Sequence, residues 1–253
     1  MVEVREDIRL ALDRVAFAEE LGIIPGPWQR NLLNSPSRRV LLNCSRQSGK
    51  STMSAVLALH RALYHPGSLI LCLAPSERQA KELFAKVTDF YRELHGAAPA
   101  HSDRKLGMHL ANGSRIEALP GSERTIRGFS GASLLILDEA SRVDDGLYYA
   151  VRPMLATVSG GRLMMLSTPY GRRGVFYEEW TDGIGWERYE VPASECPRIP
   201  ASFLEEERKA LPARVYRQEY ECSFEETDDQ VFAHEDVAAA ITPDITPLFG
   251  EAV

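Results

Sequence analysis

Hydrophobic residues in this chain form short unbroken runs that alternate with longer segments of helical periodicity. The runs at 40–42, 68–73 and 134–137 lack the polar alternation of a half-exposed strand, which predicts strands that are buried on both faces. Strands that alternate with helices predict an α/β fold, with a mostly parallel sheet between layers of helices. The predicted strands are 40–43, 68–73, 105–110, 115–119, 134–138, 161–167 and 187–191, and the predicted helices include 4–21, 28–34, 76–94, 145–157, 202–211 and 212–221.

A loop rich in small and polar residues follows the first run and leads into a helix. In loops of this type, backbone N–H groups and the helix N-terminus face phosphates, while the lysine reaches the β/γ oxygens and the adjacent hydroxyl binds Mg²⁺. Lys50 and Ser51 take these positions, and Cys44 stands where the usual pattern has glycine. The sequence thus predicts a nucleotide-binding loop, unless Gly-Lys-Ser occurs here by chance. Its nucleotide-binding residues are Ser45, Arg46, Gln47, Ser48, Gly49, Lys50, Ser51 and Thr52.

Two carboxylates end the apolar run 134–137. Asp138 and Glu139 would be costly to desolvate without a task, whereas a nucleotide hydrolase uses both. Asp138 is predicted to hold Mg²⁺ through its water shell, and Glu139 to orient and deprotonate the attacking water. Two solvated acids at a strand end are the alternative. The two motifs together, in this order, favour nucleotide hydrolysis.

Bulk composition limits the protein class. With 253 residues and 44% hydrophobic content, the chain is long enough for one large domain or a domain with a small appendage. No apolar stretch approaches the roughly 20 residues of a membrane helix, and the charged N-terminus lacks a signal-peptide core, so no membrane partner is expected. The four cysteines show no zinc or disulfide spacing, which fits a reducing cytoplasm.

Net charge is unevenly distributed along the chain. The total is −7, but 221–253 contains nine acidic residues and no Lys or Arg, so 1–220 carries a formal charge of +2. Local basic clusters in this part of the chain are sufficient for phosphate contacts, although any single cluster is also explained as ordinary solvated charge. A nucleic-acid partner is therefore compatible with the sequence.

Three motifs resemble those of the ATPase domain of tailed-phage large terminase subunits, the motors that pump DNA into viral capsids. They are the loop 45–51, the acid strand with its following alanine (135–140), and Ser167-Thr168-Pro169. The resemblance implies a P-loop NTPase of the additional-strand, RecA-like type. It also implies a core at 1–185, a small lid subdomain at 186–232 and an acidic tail at 233–253, beyond which full-length members continue into a nuclease. We expect ATPase but no nuclease activity from this chain, whose end favours a fragment.

The resemblance also implies roles for single residues. Gln29 matches a glutamine that recognises adenine in this family. Arg46 matches a loop arginine that lies near the γ-phosphate. Arg127 matches an arginine supplied to a neighbouring subunit's ATP, with Arg124 and Arg142 as rivals. The motif Ser167-Thr168-Pro169 matches a segment that couples hydrolysis to DNA movement. Each role has an alternative. Gln29 can be an ordinary polar helix residue, the arginines can be surface charges or DNA contacts, and the motif at 167–169 can be a plain turn that ends a strand.

Partners and cofactors follow from the same resemblance. It implies ATP, Mg²⁺, double-stranded DNA bound without sequence preference, a portal protein, a small terminase subunit and a homo-oligomeric ring, in the cytoplasm of the infected bacterium. One alternative is a helicase-like DNA-dependent ATPase, which would need a second motor domain. Another is a non-hydrolysing nucleotide-binding assembly module, which would have no need of Glu139.

Overall fold

The protein is described by a computed structural model over residues 2–94, 100–104, 106–121, 126, 128–226 and 240. Within these residues one eight-stranded sheet forms the centre of the fold. Its strands are β1 (Arg39–Cys44), β2 (Leu69–Ala74), β3 (Ala100–Arg104), β4 (Gly107–Leu110), β5 (Arg115–Pro120), β6 (Ala132–Asp138), β7 (Arg162–Ser167) and β8 (Glu187–Val191). They lie in the order β3-β4-β5-β2-β6-β7-β1-β8. In this spatial order, the strands β5, β2, β6, β7, β1 and β8 all pair in parallel. β3 and β4 form an antiparallel edge next to β5.

Helices cover both faces of this sheet. One hydrophobic core joins a sheet face to the helices of the first half of the chain, through residues such as Met53 and Leu83. The second core packs Tyr148 and Phe176 against the other face. The described α-helices are α1 (Val2–Leu12), α2 (Arg14–Glu20), α3 (Pro27–Asn34), α4 (Lys50–Tyr64), α5 (Glu77–Glu93), α6 (Asp145–Val151), α7 (Gly174–Thr181), α8 (Ala201–Ala210) and α9 (Ala213–Tyr220).

The unbroken apolar runs form strands that are buried on both faces, as predicted. Leu41 and Leu42 are both fully buried, and they belong to different cores because successive strand residues point to opposite faces. The α/β class, with its mostly parallel sheet, is therefore confirmed.

An additional strand lies between the loop strand and the acid strand. β7 pairs with β1 on one side and with β6 on the other, all in parallel. Asn43 lies beside Ser167, and Asp138 beside Leu166. Since the carboxyl ends of parallel strands meet at one edge, this order brings the three sequence motifs together.

Several local predictions need correction. The helix expected at 4–21 is broken at Asp13, whose side chain accepts hydrogen bonds from Val15 N and Ala16 N and so starts a second helix. The helix expected at 145–157 ends at Val151 and continues as a 3₁₀ turn containing Pro153, which has no N–H to donate. The strand β3 and the helix α7 were not predicted.

The structure also describes the cysteines and the longest apolar helices. All four cysteines are buried free thiols. In the part of the chain that the structure describes, no helix has the length and apolar character needed to cross a membrane.

Candidate functional site

The loop between β1 and α4 has the conformation of a tight anion cradle. Gln47 and Gly49 have positive φ angles of 61° and 95°, and Gly49 is the N-cap of α4. A Cβ at Gly49 would lie 2.9 Å from Gln29 Nε2, so a side chain there would be both strained and crowded. The loop is therefore tightly turned at Gln47 and Gly49, and Gly49 has no room for a side chain.

Lys50 lies at the centre of the site. Its side chain is 9% exposed, and Nζ lies 3.3 Å from Glu139 Oε1. The same nitrogen donates a hydrogen bond to Thr168 Oγ1 at 3.1 Å. One ammonium group thus links the loop, the acid strand and the predicted coupling motif.

Ser51 and Asp138 form a second contact in the site. Ser51 Oγ donates to Asp138 Oδ2 at 3.4 Å, and Asp138 is 6% exposed. Desolvation, followed by repulsion from Glu139, raises the pKa of Asp138 to about 6, against the attraction of Lys50. A hydroxyl and a carboxylate oxygen this close suit Mg²⁺, which uses few protein ligands and retains water. Among the described residues, no group of three or more His, Cys, Asp or Glu is placed so that it could hold a metal.

Replacing Asp138 with asparagine is expected to stabilise the metal-free protein at neutral pH. The raised pKa means that the native state binds more protons than the unfolded chain between about pH 4 and 6, so wild-type stability falls as pH rises through that window. The variant lacks this loss and should be more stable by about 3 kcal/mol at pH 7, with little difference near pH 4. Urea unfolding in EDTA measures this, with Asp89→Asn as an exposed control. A constant difference across the pH range would contradict the explanation.

Glu139 is held in an uncommon backbone conformation. Its φ is 51°, in the left-handed region, which costs a non-glycine residue about 1–3 kcal/mol. Its N–H donates to Asp138 Oδ1 at 3.1 Å, and Ser167 Oγ donates to Glu139 Oε2 at 3.4 Å. Ser141 Oγ lies 2.6 Å from Ser167 Oγ and donates to Thr168 O at 2.8 Å. Ser141 thus ties the acid pair to the end of β7, a role the sequence reasoning missed.

The predicted coupling motif lies in the site. Ser167 and Thr168 are buried and contact Glu139 and Lys50 respectively, and Pro169 follows directly, also buried. The structure thus brings together seven predicted residues at the carboxyl edge of the sheet, namely Lys50, Ser51, Asp138, Glu139, Ser167, Thr168 and Pro169.

Arg46 pairs with a residue outside this centre. Its side chain is 63% exposed and forms an ion pair with Glu219 in α9, while its N–H donates to Glu219 O at 3.2 Å. Arg198 Nη2 contacts Gln47 O at 3.5 Å from the same side. The segment after β8 therefore packs on the loop. These partners were not predicted, because contacts over 150 or more positions leave no local signal in one sequence.

Gln29 also lies against the loop, where its Nε2 and Arg198 Nη2 both face Gly49. Its Oε1 accepts a hydrogen bond from Gly26 N at 2.8 Å, which caps α3, while its Nε2 faces Gly49. A cavity of about 330 Å³ adjoins the loop at Gln47. It is lined by Gln47, Arg198, Ile199, Pro200 and Phe203. Gln29 combines the helix-capping role of an ordinary polar residue with a position next to the nucleotide loop.

The remaining candidates differ in how far they are described. The hydroxyls of Ser45 and Ser48 are buried beside the Cys196 and Cys44 thiols respectively. Arg142 is exposed and stacks over Tyr170, with Cζ 4.0 Å from the ring centroid. Arg124 and Arg127 lie outside the described residues.

Comparison with known proteins identifies the family. Residues 41–239 match the family described as "Terminase large subunit, T4likevirus-type, N-terminal". The chain belongs to the terminase large-subunit family. Large terminase subunits of Thermus virus P23-45 and Escherichia phage T5 are 28% and 25% identical to it, over 86% and 80% of this chain. The matches cover 52% and 48% of those proteins, so this terminase chain spans about half the length of the curated relatives it matches.

Solved structures of terminases share the fold. The ATPase domain of the Thermus phage P74-26 large terminase superposes with a TM-score of 0.71 at 25% identity, over 82% of this chain and 97% of that one. The large terminase of thermophilic bacteriophage D6E in complex with ATP-gamma-S has a TM-score of 0.63 at 13% identity, over 82% and 51%. The P-loop fold inferred from the motifs is thus confirmed as that of terminase ATPase domains.

Proposed function

We propose that this chain hydrolyses ATP and that, in the assembled terminase, hydrolysis drives double-stranded DNA into a viral capsid. One observation carries the proposal. Lys50 Nζ lies 3.3 Å from Glu139 Oε1 and donates to Thr168 Oγ1, so the residues proposed for phosphate binding, catalysis and coupling meet at one ammonium group. A phosphate that displaced Glu139 from Lys50 would release the carboxylate to accept a proton from water. The complexes of the phage D6E terminase with ADP and ATP-gamma-S support nucleotide binding at this fold.

Each residue then has a task in hydrolysis. Lys50 and the loop N–H groups bind the phosphates, and Glu139 orients and deprotonates the attacking water. Ser51 and Asp138 hold Mg²⁺, which supplies charge neutralisation at the phosphate oxygens. Gln29 recognises adenine beside Gly49. Ser167, Thr168 and Pro169 transmit the loss of the γ-phosphate, because Ser167 contacts Glu139 and Thr168 contacts Lys50.

We propose that Arg46 leaves Glu219 when ATP binds and neutralises the γ-phosphate. If so, Arg46→Gln should lower ATP turnover by about 10²–10³-fold, the usual cost of losing one such donor. The variant loses both the ion pair with Glu219 and the contact with the γ-phosphate. Glu219→Gln removes only the ion pair that joins Arg46 to the segment 186–232, our proposed lid. This variant should change turnover less than about tenfold. Steady-state ATPase assays of the two variants show whether Arg46 acts at the γ-phosphate or only holds the segment 186–232. Equal losses would mean that Arg46 acts only by holding that segment.

The other partners belong to the whole terminase. We infer a homo-oligomeric ring at the portal in the host cytoplasm, a small terminase subunit, and an arginine in trans, with Arg127 preferred over Arg124 and Arg142. Sequence-independent DNA binding should weaken steeply with salt, because only the backbone is held.

A helicase-like activity is the rival that assays can separate from this proposal. Turnover stimulated by blunt duplex DNA, without strand separation of a fluorescent forked duplex, is the result expected for a packaging ATPase. Strand separation coupled to turnover would support the helicase reading instead. The third reading, a non-hydrolysing module, predicts no turnover above that of a variant lacking the Glu139 carboxylate.

A further inference from the structure

Arginine side chains converge on a small cavity at the edge of the sheet opposite the nucleotide loop. Arg162 begins β7, Arg14 begins α2 and Arg61 lies in the last turn of α4. The cavity, which we call the arginine cavity, has a volume of about 100 Å³. Among the described residues that line it there is no Asp or Glu, whereas Arg14, Arg38, Arg61, Arg162, His60 and His65 all line it.

Two of these arginines have buried donors with no partner. Nε and Nη2 of Arg162, and Nε of Arg61, are shielded from solvent and make no hydrogen bond. Arg14 Nη1 donates to Leu33 O at 2.8 Å, a carbonyl rather than a carboxylate. Glu187, which attracts Arg162, accepts its hydrogen bonds from hydroxyl groups instead. Unpaired buried guanidinium donors are expensive, so their convergence calls for an anion.

The side chains that line the arginine cavity give it a positive charge at neutral pH. Burial, followed by repulsion from Arg14, lowers the pKa of Arg162 to about 10, which leaves it protonated at neutral pH. Burial and Arg14 lower the pKa of His60 to about 4, and burial with Arg61 and Arg14 lowers that of His65. Both histidines are therefore neutral at pH 7, while the guanidinium charges remain.

We propose that the arginine cavity is a binding site for a tetrahedral phosphate-type oxyanion, held by Arg162, Arg61 and Arg14. A water molecule needs about 10–15 Å³ of such space, so the cavity admits a group of several heavy atoms. Arg38 and His65 are exposed and leave the cavity open to solvent. The site is distinct from the nucleotide loop, because the six residues of β7 separate them by about 17 Å. The oxyanion can be free phosphate or a phosphate of the DNA backbone.

Thermal unfolding with added anions tests the proposal. Because the nucleotide loop also binds phosphate, the measurement is made in a Lys50→Met background. Inorganic phosphate at about 10 mM should raise the melting temperature by about 2–4 °C. Adding Arg162→Met or Arg61→Met should abolish the shift. Arg115→Met is the matched control, since Arg115 is exposed and also begins a parallel strand, and it should keep the shift.

The arms of the experiment also identify the source of the phosphate. A shift with phosphate alone indicates a free ion, and a shift with short duplex DNA alone indicates the DNA backbone; either must depend on Arg162. In the same background, phosphate should raise the His65 pKa measured by NMR, since an anion offsets the neighbouring arginines. No shift with either anion, or an equal shift after Arg162→Met and Arg61→Met, would overturn the proposal.

Discussion

Lys50→Met is expected to remove ATP binding and to lower turnover by at least about 10²–10³-fold. Methionine nearly preserves the length and packing of this 9% exposed side chain but removes its charge. The variant therefore leaves Glu139 without its ion pair, Thr168 Oγ1 without its donor, and the incoming phosphate without a cation. Titration with a fluorescent ATP analogue and a coupled ATPase assay measure the two effects.

The matched control for Lys50→Met is Lys81→Met. Lys81 forms an exposed pair with Glu77 on α5, so its loss removes the same charge from the protein surface without touching the loop. Wild-type affinity and turnover are expected for this control. An equal loss in both variants would point to net charge rather than to phosphate binding at the loop.

Glu139→Gln is expected to lower turnover by about 10²–10⁴-fold while ATP binding is retained or becomes tighter. Glutamine keeps the size of the side chain but cannot take a proton from water. It also removes the negative partner that competes with phosphate for Lys50 at 3.3 Å. Binding and hydrolysis should thus separate in this variant, in contrast to Lys50→Met, where both are lost.

Glu82→Gln is the control for Glu139→Gln, because Glu82 pairs with Arg78 on the exposed face of α5. Its turnover should match that of the wild type. Turnover of Glu139→Gln within twofold of wild type would assign the proton transfer to another group. Loss of ATP binding in this variant would instead show that the carboxylate is needed to build the loop.

The central site could be predicted from sequence because each of its parts is contiguous. The loop 45–52 and the acid pair each carry their chemistry in a few adjacent residues. The meeting of Lys50 with Glu139 follows from one topological fact, that the carboxyl ends of neighbouring parallel strands share an edge. The resemblance implied a P-loop fold with an additional strand, and β7 is that strand, between β1 and β6.

Other contacts left no trace in the sequence pattern. The pairing of Arg46 with Glu219 depends on how the segment after β8 returns to the loop, across 173 positions. β8 itself, at the start of the segment expected to be a lid, pairs with β1 as the edge strand of the central sheet. The break at Asp13 reflects local capping that competes with helical periodicity. The arginine cavity was not predicted either, because its members come from four separate elements.

ATP turnover measured over a range of protein concentrations, with Mg²⁺ and blunt duplex DNA, tests the central claim most directly. We expect turnover per chain to rise with protein concentration, because we propose that a neighbouring chain supplies an arginine, and such an arginine is worth about 10³–10⁵ in rate. Glu139→Gln should stay at background throughout. Wild-type turnover equal to that of Glu139→Gln at every concentration would contradict the assignment of this site to ATP hydrolysis.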